Sequence, residues 1–427
     1  MVRGILLAIL AMLLNACGGS SSSEVPARNK DGFVCKGVDK NVDEDPLFQP
    51  VVKPFGVRYA TPTKLVPVEK WPNLSDDLNF ERMDEAIRRQ LERFKKISLF
   101  GSIQMGVDIY PLRLAEKSLL EFRAVLGTYR ECLRVNPAAP ELCATLFNEQ
   151  MRSKFNMYEP NLTSGDPRYQ EPKAALFTGY YTPTIRVTQA KDSRFTYAVY
   201  GMPSGSEKRS SSRLSIDFRG ALSGLGLELY YTNDLFELYL AQVQGNGRIR
   251  VEGGVGAPGD QFFTFAGTNG QTWNFISKYM LSKNYIQDAS VNSQRDFLTL
   301  HPQMQEEVYS SCPSYVYFGT SKAPPLGSGS VSVTQDRSVA TDSRYYEFKG
   351  LLSYVVSSRP EENQNPRKPC GSVRFKDFSR FYLDQDTGGA IRGKARADLY
   401  FGEGDYAELA AYNQVRRGDI YFLMLKK

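Results

Sequence analysis

Histidine is almost missing from this chain: His301 is the only one in 427 residues. A Ser-His-Asp triad would have to be built on that residue, and an HExxH zinc site is excluded. None of the six cysteines forms a CxxC pair, so neither a redox motif nor a zinc knuckle is expected. There is no Walker loop, and the Gly-x-Gly runs lack the GxxG that opens a nucleotide-binding helix. Charge of one sign is scarce too. The net charge of +6, with acids and bases interspersed, gives no footprint for nucleic acid. Any proton chemistry falls to carboxylates or tyrosines, and neither metal nor cofactor is expected.

Long apolar runs are absent beyond the first segment, "MVRGILLAILAMLLNAC". Arg3 gives it a positive start, and the stretch from Ile5 to Leu14 is too short to span a bilayer stably. It reads as a signal peptide, residues 1–17. Ala16 directly before Cys17 resembles a lipobox, in which the cysteine is acylated and becomes the first mature residue; Asn15 departs from the usual small or apolar residue. Gly18 rather than Asp after the cysteine favours the outer membrane. Residues 18–45, opening with Gly18-Gly19 and a serine run, form a flexible tether. The expected location is the periplasmic face of a bacterial outer membrane. Export permits disulfides, and Cys132 with Cys143 is a plausible pair across a Pro-containing turn; Cys312 with Cys370 is a weaker one.

A chain of this length holds about two or three domains. Met83, Ile87, Leu91, Phe94 and Ile97 recur at helical spacing after Ser75, which is read as the cap. Two further helical patterns cover about 111–131 and 140–157. From 175 onward, short runs of Val, Tyr, Thr and Ile alternate with Gly, Asn, Asp and Ser turns, the signature of β-rich sheets or barrels. One helical interlude interrupts them at about 270–310, where His301 beside Pro302 starts a helix.

Four stretches rich in glycine, aromatics or amides stand out: Gly179-Tyr180-Tyr181-Thr182-Pro183, Gln242-Val243-Gln244-Gly245-Asn246-Gly247, Ala266-Gly267-Thr268-Asn269-Gly270 and Asp386-Thr387-Gly388-Gly389. Each alone is explained by a β-turn. Together they suggest a groove for a neutral, polar, extended ligand, because tyrosines stack on sugar rings and amides both donate and accept. Carbohydrate is the natural candidate. Glycoside hydrolysis needs two carboxylates, but one suffices if the substrate supplies its own nucleophile. Such an acid must keep its proton, which apolar burial favours. Asp386, after Phe381-Tyr382-Leu383, has a suitable context, and Asp384 reads as a surface or turn acid.

The lipobox, "FTGYYTPTI", "VQGNGRI", "FAGTNGQTW", "NSQRDFLTLHP", "CPSYVYF" and "DTGGAIRG…RADLYFG" occur in an order that resembles the membrane-bound lytic murein transglycosylase A family. The resemblance implies a mainly β fold with N-terminal helices. A double-psi β-barrel, 46–182 plus 313–427, would carry a smaller β-barrel, 183–312, inserted into it. It implies cleavage of the β-1,4 bond between N-acetylmuramic acid and N-acetylglucosamine, leaving a 1,6-anhydro end. Asp386 would be the catalytic acid and then base, with Asp398 supporting it. Tyr180, Tyr181, Thr182, Gln244, Gly245, Asn246, Thr387, Gly388 and Gly389 would line the groove. The implied partners are peptidoglycan glycan strands and, through Cys17, outer-membrane lipid; other murein enzymes are further candidates, and a tethered monomer is expected. Asn246 stands where the family usually has serine, and Trp273 where tyrosine is common. The alternative is a non-catalytic, expansin-like wall-binding lipoprotein on the same barrel.

Overall fold

A computed structural model describes residues 28–29, 32–33, 62–162, 174–252, 261–365, 372–388 and 391–427. The expected lipobox, Cys17 and the tether lie outside these residues. Among the described residues, no helix is long and apolar enough to cross a membrane.

Two sheets organise the chain. In the first, Leu351–Pro360, Phe375–Asp386, Ser338–Thr341, Arg396–Glu403, Ala175–Thr182 and Val415–Leu425 pair in that order. Val415–Leu425 then pairs back to Leu351–Pro360, which closes a six-stranded barrel. Two of its pairings are parallel: Ser338–Thr341 with Phe375–Asp386, and Arg396–Glu403 with Ala175–Thr182. Parallel neighbours need crossovers, so strands distant in sequence come side by side. The expected double-psi barrel is thus present. Phe155–Pro160 and Thr63–Leu65 extend the sheet beyond the closed ring.

The second sheet, in the order Val316–Ser321, Gln261–Thr268, Asn246–Val251, Thr184–Thr188, Glu228–Thr232 and Tyr197–Tyr200, curls into a smaller barrel. Only Pro183 separates its strand Thr184–Thr188 from the first barrel's Ala175–Thr182. Val316–Ser321, which the sequence reading gave to the outer domain from 313, pairs inside the second sheet instead. The chain therefore returns to the first barrel after Ser321.

The N-terminal helices cover one side of the large barrel. In Met83–Phe94 the residues Met83, Ile87, Leu91 and Phe94 are all buried, as their spacing requires. Ser75 is not the cap. Its hydroxyl bonds Ser379, and Asp76 instead accepts from the amides of Leu78 and Phe80 in the turns before the helix. Arg113–Val135 and Pro140–Lys154 follow, joined by the Cys132–Cys143 disulfide. Cys312 is a buried free thiol, and Cys370 lies outside the described residues. Phe122 and Tyr354 meet Phe381 at ring separations of 4.8 and 4.7 Å, anchoring the middle of the strand Phe375–Asp386. His301 ends the helix Val291–Leu300 and begins a short turn of helix, Pro302–Met304.

Two helices escaped the sequence reading. Leu235–Gln244 is buried on nearly every side, so it shows no amphipathic period. Asp405–Asn413 packs on Ala175–Thr182 and Arg396–Glu403. Arg295 bridges the two, bonding Glu237 on one and Glu408 on the other.

Candidate active site

Asp386 is the last residue of the long strand Phe375–Asp386 and is only 3% exposed. The pairing register slips beside it: Val339 faces Asp384 and Ala340 faces Asp386, leaving Gln385 as the extra residue of a bulge. Ala340 also faces Asp398, and Asp398 faces Thr178 on the next strand. Asp386, Ala340, Asp398 and Thr178 therefore form one row across four strands. Two strand spacings put the two aspartate backbones about 10 Å apart, with a methyl side chain between them.

The two carboxyl groups meet different surroundings. Asp398 is bound to the Arg396 guanidinium and the Thr178 hydroxyl, and Arg396 also donates to Thr178 Oγ1 at 2.6 Å. Asp386 has no such cation in contact. Its Oδ1 accepts from the Ser328 amide at 2.7 Å and the Thr387 amide at 2.8 Å. Burial raises its pKa above the ordinary carboxylate value, opposed by those two amides and by the charge of Lys349. Burial wins because the charged form loses its water. The shift is toward the protonated form, the direction a general acid requires. The group can act as a general acid.

Tyr180 is on the same strand as Thr178 and faces Tyr400. Its pKa is well above the usual tyrosine value, because of burial first and the nearby charges of Asp386 and Asp398 after it. The hydroxyl lies close enough to feel Asp386, yet it has no hydrogen bond of good geometry. Thr182 is buried and shares a 2.8 Å hydrogen bond with the Tyr400 hydroxyl. Tyr181 alternates to the other side of the strand, where its hydroxyl meets that of Tyr412 at 2.6 Å. The structure does not bring Tyr181 together with Asp386.

Gln244 ends the helix Leu235–Gln244, and Gly245 closes it at φ 73°, a left-handed cap suited to glycine. Asn246 begins the next strand, and both elements pack against Ala175–Thr182. Gln244 Nε2 and Asn246 Oδ1 are buried without partners, like the Tyr180 hydroxyl. Buried polar atoms are normally satisfied, so these three mark places where a polar ligand or water belongs. Thr387 lies beside Asp386, its hydroxyl held by the Thr341 carbonyl at 2.7 Å. Gly388 is buried, and Gly389 lies outside the described residues.

Other expectations fare differently. Asp384 is not a surface or turn acid: it is fully buried within the strand and ion-paired with Lys349 at 3.1 Å. Asn269 spends its amide on the carbonyls of Ser211 and Pro313 and on the Tyr315 amide, so its motif clamps loops of the small barrel. Trp273 stacks on Tyr239 inside that barrel. The sequence reading missed Gly327-Ser328-Gly329, Lys349, Thr178 and Arg396. The glycines flanking Ser328 were the available signal, since a Cβ on Gly327 would lie 2.8 Å from the Gln385 carbonyl and 3.2 Å from Asp386 Cγ. Among the described residues, no group of three or more His, Cys, Asp or Glu could hold a metal ion.

Two family models match the chain. The MltA specific insert domain covers residues 176–319, and the 3D domain covers residues 337–424. A membrane-bound lytic murein transglycosylase A of Vibrio cholerae is 28% identical over 282 residues, 64% of this chain and 71% of that protein. Its namesake in Escherichia coli K12 is 32% identical over 235 residues, 54% of this chain and 60% of that protein. Among solved structures, E. coli MltA with bound chitohexaose superposes with a TM-score of 0.60 at 23% identity, covering 88% of this chain and all (100%) of that one. A membrane-bound lytic murein transglycosylase from Agrobacterium tumefaciens gives 0.59 at 18% identity, covering 85% of this chain and 97% of that one. At these identities the structural likeness speaks for the fold.

Proposed function

We propose, from the premise that this chain belongs to the membrane-bound lytic murein transglycosylase A family, that it is a lytic transglycosylase of peptidoglycan. It would cut the β-1,4 bond between N-acetylmuramic acid and N-acetylglucosamine without metal or cofactor. The observation that carries this reading is the contrast between Asp386 and its neighbours. Asp386 is buried, has its pKa raised and meets no contacting cation among the described residues, while Asp384 and Asp398 are each ion-paired. A hydrolase needs a second free carboxylate to activate water. A transglycosylase needs only one.

In the proposed reaction, Asp386 gives its proton to the glycosidic oxygen as the C1–O4 bond breaks. The resulting carboxylate then takes the proton from the C6 hydroxyl of the muramic residue. That O6 attacks C1 and closes the 1,6-anhydro ring, and Asp386 returns to its protonated form. The glycan would lie where Tyr180, Gln244 and Asn246 leave polar atoms unpaired, on the seam between the two barrels. The inserted barrel, 183–321 by its sheet pairing, would form one wall of that groove. Acylation of Cys17 would hold the enzyme at the periplasmic face of the outer membrane. Loss of labelled-palmitate incorporation in Cys17→Ala is expected.

The test is digestion of purified murein sacculi by the form lacking residues 1–17, with products read by mass spectrometry. Anhydromuramic ends are expected from wild type. Asp386→Asn should be slower by roughly 10²- to 10⁴-fold, the range a general acid contributes, while still binding sacculi. Reducing ends would mean a hydrolase. Bound sacculi with no product from wild type would mean a wall-binding protein.

A further inference from the structure

Asp384 is a charged residue the proposed reaction does not use, two positions from the residue it depends on. Fully buried carboxylates are rare unless paired. Here the partner is Lys349, whose Nζ donates to Asp384 Oδ1 at 3.1 Å and Oδ2 at 3.3 Å. Thr341 Oγ1 donates to Asp384 Oδ2 at 2.8 Å and receives Lys349 Nζ at 2.7 Å. The Thr341 carbonyl holds the Thr387 hydroxyl at 2.7 Å, and the Thr387 amide donates to Asp386 Oδ1. A continuous chain of contacts thus runs from the buried ion pair to the proposed acid. We infer that Asp384 and Lys349 are a positioning pair that sets the proton affinity of Asp386 and so the pH range of the reaction.

This inference rests on the reading of Asp386 as the acid. The charges that face Asp386 are few. Lys349 favours its carboxylate, and Asp384 and Asp386 disfavour each other's ionisation. Tyr180 and Tyr400 face it as neutral phenols, both pushed above the usual tyrosine value mainly by burial. Asp398 is neutralised by Arg396. Tyr346, beside Asp384, is likewise held neutral, its hydroxyl donating to the Lys394 carbonyl. Asp384 itself is pushed up to about 6 by burial, against the pull of Lys349. Two carboxyls and one ammonium therefore share a water-poor space in which each changes the cost of charging the others.

The signs follow directly. A general acid works while protonated, so kcat/KM falls as pH rises through its pKa. Removing Lys349 takes away the positive charge that favours the Asp386 carboxylate, and the alkaline limb moves up. Removing Asp384 leaves Lys349 uncompensated, and the limb moves down. The experiment measures kcat/KM against pH for wild type, Lys349→Met, Asp384→Asn and the double variant, on murein, with anhydro products quantified. Limbs displaced by about one unit in opposite directions, with the double variant close to wild type, are the expected result. A uniform loss of rate with unmoved limbs would assign the pair a structural role only and overturn the inference. Should one single variant fold poorly, the other still tests it: a limb displaced in its stated direction supports the inference, and an unmoved limb overturns it. If Asp386→Asn itself keeps wild-type production of anhydro ends, the reading of Asp386 fails instead, and the two failures are distinct.

Discussion

Asp386 holds its chemical role through the cost of its own charge. Burial raises its folded-state pKa above the value an unfolded chain would show, so the unfolded state binds fewer protons at neutral pH. The protein is therefore penalised as pH rises from the ordinary carboxylate range through the raised value. Below that range the penalty vanishes. Asp386→Asn, which cannot ionise, should match wild type in acid and be the more stable protein at neutral pH, the gap widening with pH and then levelling. Denaturant melts at several pH values measure it, and an equal or lower stability at neutral pH would contradict the burial argument. At this scale the sequence was half legible. The Asp-Thr-Gly-Gly pattern marked Asp386, but nothing local distinguished Asp384 as buried from Asp384 as a turn acid. Its partner Lys349 is 35 residues away, on a different element.

At the scale of elements, the site depends on the backbone of a loop, 322–337, whose later side chains Asp336 and Arg337 are ion-paired with Arg380 and Asp76. Gly327-Ser328-Gly329 approaches the end of the Asp386 strand so closely that the Gly329 amide donates to the Gln385 carbonyl at 3.1 Å. Gly327→Ala puts a methyl group within 2.8 Å of that carbonyl, so the loop must withdraw and take the Ser328 amide off Asp386. Activity should fall by about tenfold or more, with a stability loss of about 1–3 kcal/mol, since a buried carboxyl loses one of its donors. Sacculus digestion beside a thermal melt separates the two effects. The Gly179 strand shows the opposite use of glycine. A Cβ there would lie 2.6 Å from the Phe401 ring and 3.0 Å from Ala411 Cα, so the constraint is packing of the helix Asp405–Asn413. The same residue type thus serves the site in one motif and the core in another.

Across the whole molecule, two barrels meet along Ala175–Thr182 and the helices that pack on it. Arg248 reaches from the small barrel to Glu403 of the large one, and Arg295 ties the Leu235–Gln244 helix to Asp405–Asn413. The N-terminal helices stand apart from this seam. Their Cys132–Cys143 bridge closes a short loop, with a sequence separation of 11 residues. Loop-closure entropy gives such a bridge about 3 kcal/mol. Replacing both cysteines with serine should lower the melting temperature by several degrees yet leave the pH profile of murein cleavage in place, because the bridge joins Arg113–Val135 to Pro140–Lys154, whereas the helix that touches Gln385 and Gly329 is Met83–Phe94, through Gln90 and Arg93. A displaced profile would mean that loosening the bridged pair is felt at the site.

What the sequence determined by itself is local or additive. Apolar spacing foretold the helix Met83–Phe94, alternation with turn residues foretold β-rich barrels, and cysteine spacing suggested the Cys132–Cys143 disulfide. The near absence of histidine narrowed the proton chemistry to carboxylates or tyrosines. Only the tertiary structure decided the rest. Leu235–Gln244 hid its period because it is buried on every side, and the return point after Ser321 depended on which sheet a strand of ordinary composition joined. A parallel pairing on one side and an antiparallel one on the other set Asp386 and Asp398 about Ala340, and the chain's return brought Ser328 to Asp386 and Lys349 to Asp384. Backbone hydrogen bonds between strands carry no sequence signature, so the row of residues they align is fixed only when the barrel closes.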